Sequence, residues 1–523
     1  MTNHPPRPRL LRGRLRRPTA AELHEYMALH GLDPSEAEAA DLRESVDAAM
    51  AAFDRLEELE PPAPPLRYAH RDPGRRPTPD EDPYNALIRR CEVRGAAEGP
   101  LAGVAVVIKD CIAVAGIPTS NGGRRVPQHV PVEDAVVVER LLDAGATIVG
   151  KSNLDDLGTG LGGGSAFGAA RNPADPAKST GGSSSGSAAA VAAGIADMAL
   201  GVDQGGSVRL PAAWCGIVGM KPTHGLVPTY GVTHIDHTID HVGPMTRTVL
   251  DNARMLEVIA GPDWRDPQWA GGRASTEPYS AAGERDIEGV RLGIVRESVP
   301  ADRCEPAVLD RFHAACEKLE RRGARVTEVS VPLWHDGAAI ITAVILLAEY
   351  NMLLTFGEGS GHLGRIDPSA VATMAAQLQS GRNDLPALLK TALVAVEHVR
   401  RAYGNVPAAT AQNVRLELRR AIDALLVDVD LLVTPTSPKQ PFALEEDGSS
   451  DQELLQRNLD FETTGNLMQA DLTGHPALSV PAGFDAEGMP IGFQLIGPHF
   501  GESLIYSVAL ALEDDASTTE PIR

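Results

Sequence analysis

Cysteine, aromatic residues and positive charge are all scarce in this 523-residue chain. The five cysteines (Cys91, Cys111, Cys215, Cys304 and Cys316) are odd in number and contain no C-x-x-C pair. That pattern excludes a disulfide scaffold and gives no structural zinc site. A reducing compartment follows, so the expected localisation is cytoplasmic. Aromatics make up only 4% of the chain, which gives no sign of an extended aromatic groove. Lys and Arg number 48 against 70 Asp and Glu, for a net charge of −22. Such a chain repels phosphate backbones and anionic lipid heads, so neither nucleic acid nor a membrane is an expected partner. No run of ~18 apolar residues is visible, and no membrane span is expected.

Hydrophobic residues are plentiful, at 43%, enough for a large buried core. The only basic concentration is N-terminal: Arg7, Arg9, Arg12, Arg14, Arg16 and Arg17. Pro18-Thr19-Ala20-Ala21-Glu22 follows where an export signal would be apolar, so this run reads as a solvated arm. Thr19 and Glu22 have capping-box spacing. Leu42, Val46, Met50, Phe53 and Leu56 recur at helical steps, with Asp41 as the expected cap. A proline-dense stretch from 61 to 83 then breaks the helix and reads as an extended linker. Residues 1–90 are therefore expected to be a helical appendage, and 91–523 the main domain. From residue 104 short apolar runs (104–108, 146–149, 198–202, 292–295 and 431–434) alternate with helical segments. That alternation predicts an α/β fold, a sheet covered by helices, with a helix-rich lobe at about 305–425.

Thr180-Gly-Gly-Ser-Ser-Ser-Gly-Ser187 runs directly into the small and apolar residues 188–202. A flexible tether would not feed buried elements, so this is a shaped loop. Asp203-Gln204-Gly205-Gly206-Ser207-Val208-Arg209 follows the strand. Glycines there allow backbone N–H groups to converge on an anion, and a serine hydroxyl beside such a nest is the minimum apparatus for acyl transfer. A phosphate cradle would need a P-loop or dinucleotide pattern, and neither occurs. For the base two options stand. One is a histidine (His224, His234, His237 or His241) in a Ser-His-Asp triad, with Gly182–Gly186 as a weak nucleophile-elbow match. The other is Lys109, placed by the apolar run 104–108 at a sheet edge where burial favours the neutral amine.

Together these segments resemble the amidase signature family. The likeness spans about residues 95–510 and rests on Val107-Ile108-Lys109-Asp110, on Gly181–Ser187 through Asp203–Arg209 to Cys215–Thr223, and on Thr434-Pro435-Thr436 and Thr473–Pro481. The resemblance implies a mixed-sheet α/β core and a Ser–cis-Ser–Lys triad. Ser207 would be the nucleophile, Ser183 the proton relay in a cis link to Gly182, and Lys109 the base. The amides of Gln204, Gly205, Gly206 and Ser207 would form the oxyanion hole. Asp203 and Arg209 would brace the loop, and Ser184 would support it. Ser185 stands where many members have glycine. His237 and His241 are read as structural. No metal or cofactor is implied.

Within the family, the N-terminal appendage, Asp203-Gln204 and Ile235–Pro244 are similar to nitrile-pathway, enantioselective amidases. The leading expectation is a stand-alone hydrolase of small-molecule linear carboxamides. The alternative is a glutamine-fed amidotransferase subunit handing ammonia to a partner. The same triad also suits esters, carbamates or hydrazides. A non-catalytic relative is disfavoured by the intact Lys109, Ser183 and Ser207. The acyl pocket is expected from the loop around Asn121, residues 224–241 and 335–400, with Trp334, Tyr350 and Phe356 as candidate lining. By analogy with related amidases, helix 41–59 is a possible homodimer surface.

Overall fold

Among the described residues, short runs of β-branched and small apolar residues pair into one mixed sheet of twelve strands, flanked by helices, with a small helical region at the N-terminus. The computed structural model describes residues 15–59, 65–123, 129–266, 278–284, 286–355, 364–380, 385–445, 450–458 and 461–513. The strands are β1 (Arg71–Arg75), β2 (Leu87–Arg94), β3 (Ala105–Lys109), β4 (Thr147–Ser152), β5 (Met198–Asp203) and β6 (Val218–Lys221). They continue as β7 (His241–Thr246), β8 (Arg291–Val295), β9 (Arg325–Val329), β10 (Leu431–Pro435), β11 (Ala477–Phe484) and β12 (Pro490–Ile496). Their order is β1-β2-β4-β3-β5-β7-β6-β11-β12-β10-β8-β9. β3 runs parallel to both β4 and β5, whereas β5 is antiparallel to β7. All residues of β5, β6, β7 and β10 are buried, as a sheet covered on both faces requires.

The alanine run after the Gly/Ser loop forms the helix Ser185–Ala192. Its small side chains (Ala188, Ala189, Ala190 and Val191) pack in one buried cluster with Val107 of β3 and Ala199 of β5. A bulkier helix would stand farther from the sheet, so the small residues set how closely the loop approaches the ends of β3 and β5.

The chain divides into two units, Met1–Pro65 and Leu66–Arg523. The division differs from the boundary near residue 90 expected from sequence. β1 pairs with β2 and β2 with β4, so the segment after Pro65 joins the sheet. In the first unit the Thr19–Glu22 capping box forms. The second helix, Glu36–Leu59, starts earlier than expected, so Asp41 lies inside it. Ser35 and Glu38 make the box instead: the Ser35 hydroxyl and amide donate to Glu38 at 2.7 and 2.9 Å. Arg7, Arg9, Arg12 and Arg14 lie outside the described residues. Arg16 pairs with Glu22 at 2.7 Å and Arg17 with Asp54 at 2.8 Å, so this end of the basic run is tied down.

The helix Gly337–Thr355 corrects another expectation. Pro332–Leu354, with a mean hydropathy of 1.8, is long and apolar enough by composition to cross a membrane. Glu349 and Asn351 interrupt the run and hide it from a simple scan. In the fold 44% of its most apolar 18-residue stretch is buried, and the helix packs against Ala387–Tyr403 and Val406–Asp428.

Candidate active site

Three lysines are fully buried: Lys109, Lys151 and Lys221. Their partners separate them. Lys151 donates to the Ile112 carbonyl at 2.7 Å and Thr119 at 2.8 Å, with Asp110 at 3.2 Å. Lys221, pushed down to about 7 by burial, donates to the Pro222 carbonyl at 2.9 Å. Lys109, the last residue of β3, instead donates to the Ser183 hydroxyl at 2.8 Å and reaches the Val202 carbonyl at 3.4 Å. Burial lowers its pKa, partly opposed by the negative groups around it, including Asp155 and Asp203.

Ser183 is fully buried, and the Gly182–Ser183 peptide is cis. Ser207 follows β5 and is half-buried, facing a cavity. The two serine loops are tied through backbone: the Ser184 amide donates to the Ser207 carbonyl at 3.2 Å. The Ser184 hydroxyl is occupied elsewhere, donating to the Val202 carbonyl at 3.2 Å. Lys109 and Ser183 are thus in direct contact. Among the described residues no hydrogen bond joins the Ser183 and Ser207 side chains.

Asp203 closes β5 and organises the loop that carries Ser207. Its carboxylate accepts from the amides of Gly206 (2.7 Å) and Val208 (3.0 Å), and from Arg209 Nε and Nη2 at 3.1 and 3.0 Å. Arg209 also donates to Asp471 at 2.7 Å and, through Nη1, to Leu467 O and Gln494 Oε1 at 2.8 Å each. All of these side chains are buried. Burial alone would raise the Asp203 pKa, but the Arg209 guanidinium outweighs it and holds the carboxyl below the usual range. Asp471 is driven well above that range by burial and by the nearby Asp203 charge. One detail refines the expected oxyanion hole. The Gly206 amide is spent on Asp203, leaving those of Gln204, Gly205 and Ser207 as the candidate donors. Gly206 itself has φ +117°, and a Cβ there would lie 2.5 Å from Leu467, so only glycine fits.

The cavity at Ser207 is walled by Gly158–Leu161, Gly182, Gln204–Ser207, Leu210, Ile235, Thr464 and Met468. One face of the helix Gly337–Thr355 (Ile341, Thr342, Ile345, Leu346 and Glu349) completes it with Leu388. A larger cleft shares Thr159, Gly160, Leu161 and Leu388 with it, but none of Lys109, Ser183 and Ser207 lines that cleft. The expected regions 224–241 and 335–400 do contribute, through Ile235 and the helix face. Asn121 lines a different cavity. Trp334 is core, its Nε1 donating to Asn466 at 3.0 Å, and Tyr350 bonds to Glu397. Phe356 lies outside the described residues.

Sequence reasoning missed Asp155. It is buried and accepts from the amides of Gly162, Gly163 and Gly164 at 2.8 Å each, shaping the glycine loop that borders the cavity. The density of glycine from 158 to 164 was the available signal. His241 Nδ1 donates to the Ile239 carbonyl (2.7 Å) and the ring is held neutral by burial, and His224 Nε2 donates to the His237 carbonyl at 2.9 Å. Among the described residues no hydrogen bond links His224, His234, His237 or His241 to Ser183 or Ser207. Among the described residues two groups have donor atoms close enough for a metal: His234, His237 and Asp240, and Asp423, His475 and His499. In each a histidine meets its carboxylate directly, at 2.9 and 3.0 Å, and neither group lines the Ser207 cavity.

Comparison with known proteins converges on one family. The Amidase family profile matches residues 85–505. The A subunit of glutamyl-tRNA(Gln) amidotransferase from Halobacterium salinarum is 38% identical over 431 residues, covering 82% of this chain and 99% of that protein. Among solved structures, the same subunit from Thermotoga maritima is 31% identical, with a TM-score of 0.66 over 82% of this chain and 86% of that one. Peptide amidase from Stenotrophomonas maltophilia is 30% identical, with a TM-score of 0.66 over 81% and 85%. These relatives overturn the expectation that nucleic acid has no place around such a chain. The first two are named for an enzyme of glutamyl-tRNA(Gln). Net charge describes the surface of one polypeptide, whereas one member of an assembly can leave contact with a polyanion to the others.

Proposed function

This chain belongs to the amidase family and is an enzyme acting on carbon–nitrogen amide bonds; from that premise we propose that Ser207 carries the acyl group, with Ser183 and Lys109 moving its proton. Neutral Lys109 takes the proton of Ser183, which takes that of Ser207, while the Ser207 oxygen attacks the carboxamide carbon. The oxyanion is met by the amides of Gln204, Gly205 and Ser207. The proton returns through Ser183 to the leaving nitrogen, ammonia departs and an ester remains on Ser207. Water then attacks the ester, releasing the acid and restoring the Ser207 hydroxyl. The observation that carries this reading is the 2.8 Å contact from the buried Lys109 amine to Ser183, on a loop bonded to that of Ser207.

The comparisons favour one destination for the ammonia. The relatives at 38% identity support a glutamine-fed amidotransferase subunit, delivering ammonia to an acceptor held by a partner, here one attached to transfer RNA. A stand-alone amidase is the second reading, and a feature of the cavity supports it. Among the described residues the lining contains no lysine or arginine to pair with the α-carboxylate of glutamine. The likeness of Asp203-Gln204 and residues 235–244 to nitrile-pathway, enantioselective amidases belongs with this second reading.

Ammonia release from L-glutamine and from aliphatic, aryl and arylalkyl amides, with no added partner, separates the two. Wild type is compared with Ser207→Ala. Release from simple amides that disappears in Ser207→Ala marks a stand-alone serine amidase. Release from glutamine alone, or only with a partner present, marks the amidotransferase component. Ammonia production that persists in Ser207→Ala would reject Ser207 as the nucleophile.

A further inference from the structure

Glu349 is the only charged residue among the described residues lining the Ser207 cavity. It sits on the helix face formed by Ile341, Thr342, Ile345 and Leu346, whose three- and four-residue steps put these side chains on one side. The residue is fully buried, and among the described residues neither carboxyl oxygen has a hydrogen-bond partner. The polar neighbours do not serve it. Thr342 spends its hydroxyl on the Ala338 carbonyl at 2.7 Å, and Thr159 on that of Asp156 at 3.0 Å. Buried polar groups in folded proteins are nearly always paired, so each exception needs an explanation. A core carboxyl kept only for packing would be replaced at no loss by leucine or methionine, which this apolar helix otherwise uses freely. A carboxyl without a partner among the described residues, lining the cavity beside Ser207, points to a partner in the ligand.

We propose that Glu349 anchors a primary ammonium group on the acyl side of the substrate, so that the preferred amides carry an amine in addition to the scissile carboxamide. This rests on the acyl-enzyme reading above and is indifferent to where the ammonia goes. The lining supports an ammonium rather than a zwitterion, because no cation among the described residues lines the cavity to meet a carboxylate on the same ligand. The apolar remainder (Ile235, Ile341, Ile345, Leu346 and Met468) suits a methylene chain between the two polar ends. An empty cavity leaves the carboxyl pushed up by burial, and an arriving ammonium restores its charge.

The test uses amides matched in size: 4-aminobutanamide against pentanamide, and 6-aminohexanamide against heptanamide. Wild type should favour the amine member of at least one pair in kcat/KM. In Glu349→Gln that preference should fall by roughly 10–100-fold, mainly through KM, since a lost charged hydrogen bond has that weight. Glu349→Asp should restore part of it, which a merely structural role would not do. A preference equal in wild type and Glu349→Gln overturns the proposal. A second measurement needs no turnover: calorimetric binding of butylamine and hexylamine to full-length Ser207→Ala protein. Binding that vanishes in the Ser207→Ala, Glu349→Gln double variant supports the anchor. No binding of either amine to Ser207→Ala overturns it. Amine binding without turnover of any amide would instead refute the serine-amidase reading and leave the anchor standing.

Discussion

Asp203→Asn tests the loop architecture most directly. The native carboxylate receives Gly206 N and Arg209 Nη2 on one oxygen, and Val208 N and Arg209 Nε on the other. An asparagine keeps one acceptor and turns the other edge into a donor. Whichever way the amide faces, at least two N–H groups then point at an NH2. An unmatched buried donor costs ~1–3 kcal/mol, and breaking a buried ion pair ~3–5 kcal/mol. The two effects overlap at the same atoms, so ~3–5 kcal/mol is the expected loss. At ~2.1 cal/mol/K per residue, a unit the size of Leu66–Arg523 has an unfolding entropy of ~1 kcal/mol/K. The melting midpoint should therefore fall by ~3–5 °C at matched scan rate. Activity should fall further. Releasing the Gly206 amide lets the neighbouring oxyanion donors drift, and misplacing one such donor costs ~10²–10³ in kcat. The sign with pH follows from the lowered Asp203 pKa. The native advantage is complete above the ordinary value of 3.8, so the gap between wild type and variant stays constant near neutrality and closes only in strong acid. A variant that melts within ~1 °C of wild type and releases ammonia at an undiminished rate would refute the bracing role.

Three other outcomes are expected. Lys109→Ala should lower ammonia release by ~10²–10⁴. In wild type, where burial depresses the lysine, kcat/KM should climb with pH as Lys109 loses its proton, and this limb should be missing from the variant's pH–rate profile. Gly206→Ala should lose both stability and rate, because its Cβ meets fully buried Leu467 and the backbone is left-handed. Strain of ~1–3 kcal/mol, read by thermal melting, is the expected size. Glu349, pushed up to about 8 by burial, keeps a proton in the folded chain that the unfolded chain loses near 4.5. Stability of the ligand-free protein should therefore drop as pH rises from about 4.5 to 8, by at most ~5 kcal/mol. Glu349→Gln should remove that drop, so its melting advantage over wild type should grow between pH 5 and pH 8.

What the sequence made legible was local. The strand before Lys109 and the strand and loop around Asp203–Ser207 are continuous segments whose composition states their burial. The alanine run announced a helix packed closely on a sheet. Features that depend on distant partners were harder to see. β1 is charged and mostly exposed, and only pairing with β2 makes it a strand. The spent Gly206 amide appears only when the loop folds back on Asp203. Asp155 and Glu349 look like ordinary surface carboxylates in the sequence. Their burial comes from a glycine loop in one case and from the packing of a long apolar helix in the other. Ser35 was legible, through Glu38 three residues on, but the stronger apolar periodicity from Leu42 drew the helix start too late.

The helix Gly337–Thr355 enters the Ser207 cavity from a point in the chain more than a hundred residues past the nucleophile. Bond-breaking and substrate choice are thereby written on separate stretches of chain. On the proposed mechanism residues 105–209 hold the proton path and the acyl carrier, while Ile341, Thr342, Ile345, Leu346 and Glu349 line the cavity beside them. Randomising those five positions is therefore a route to new amide preferences that leaves the reacting serine and its lysine untouched.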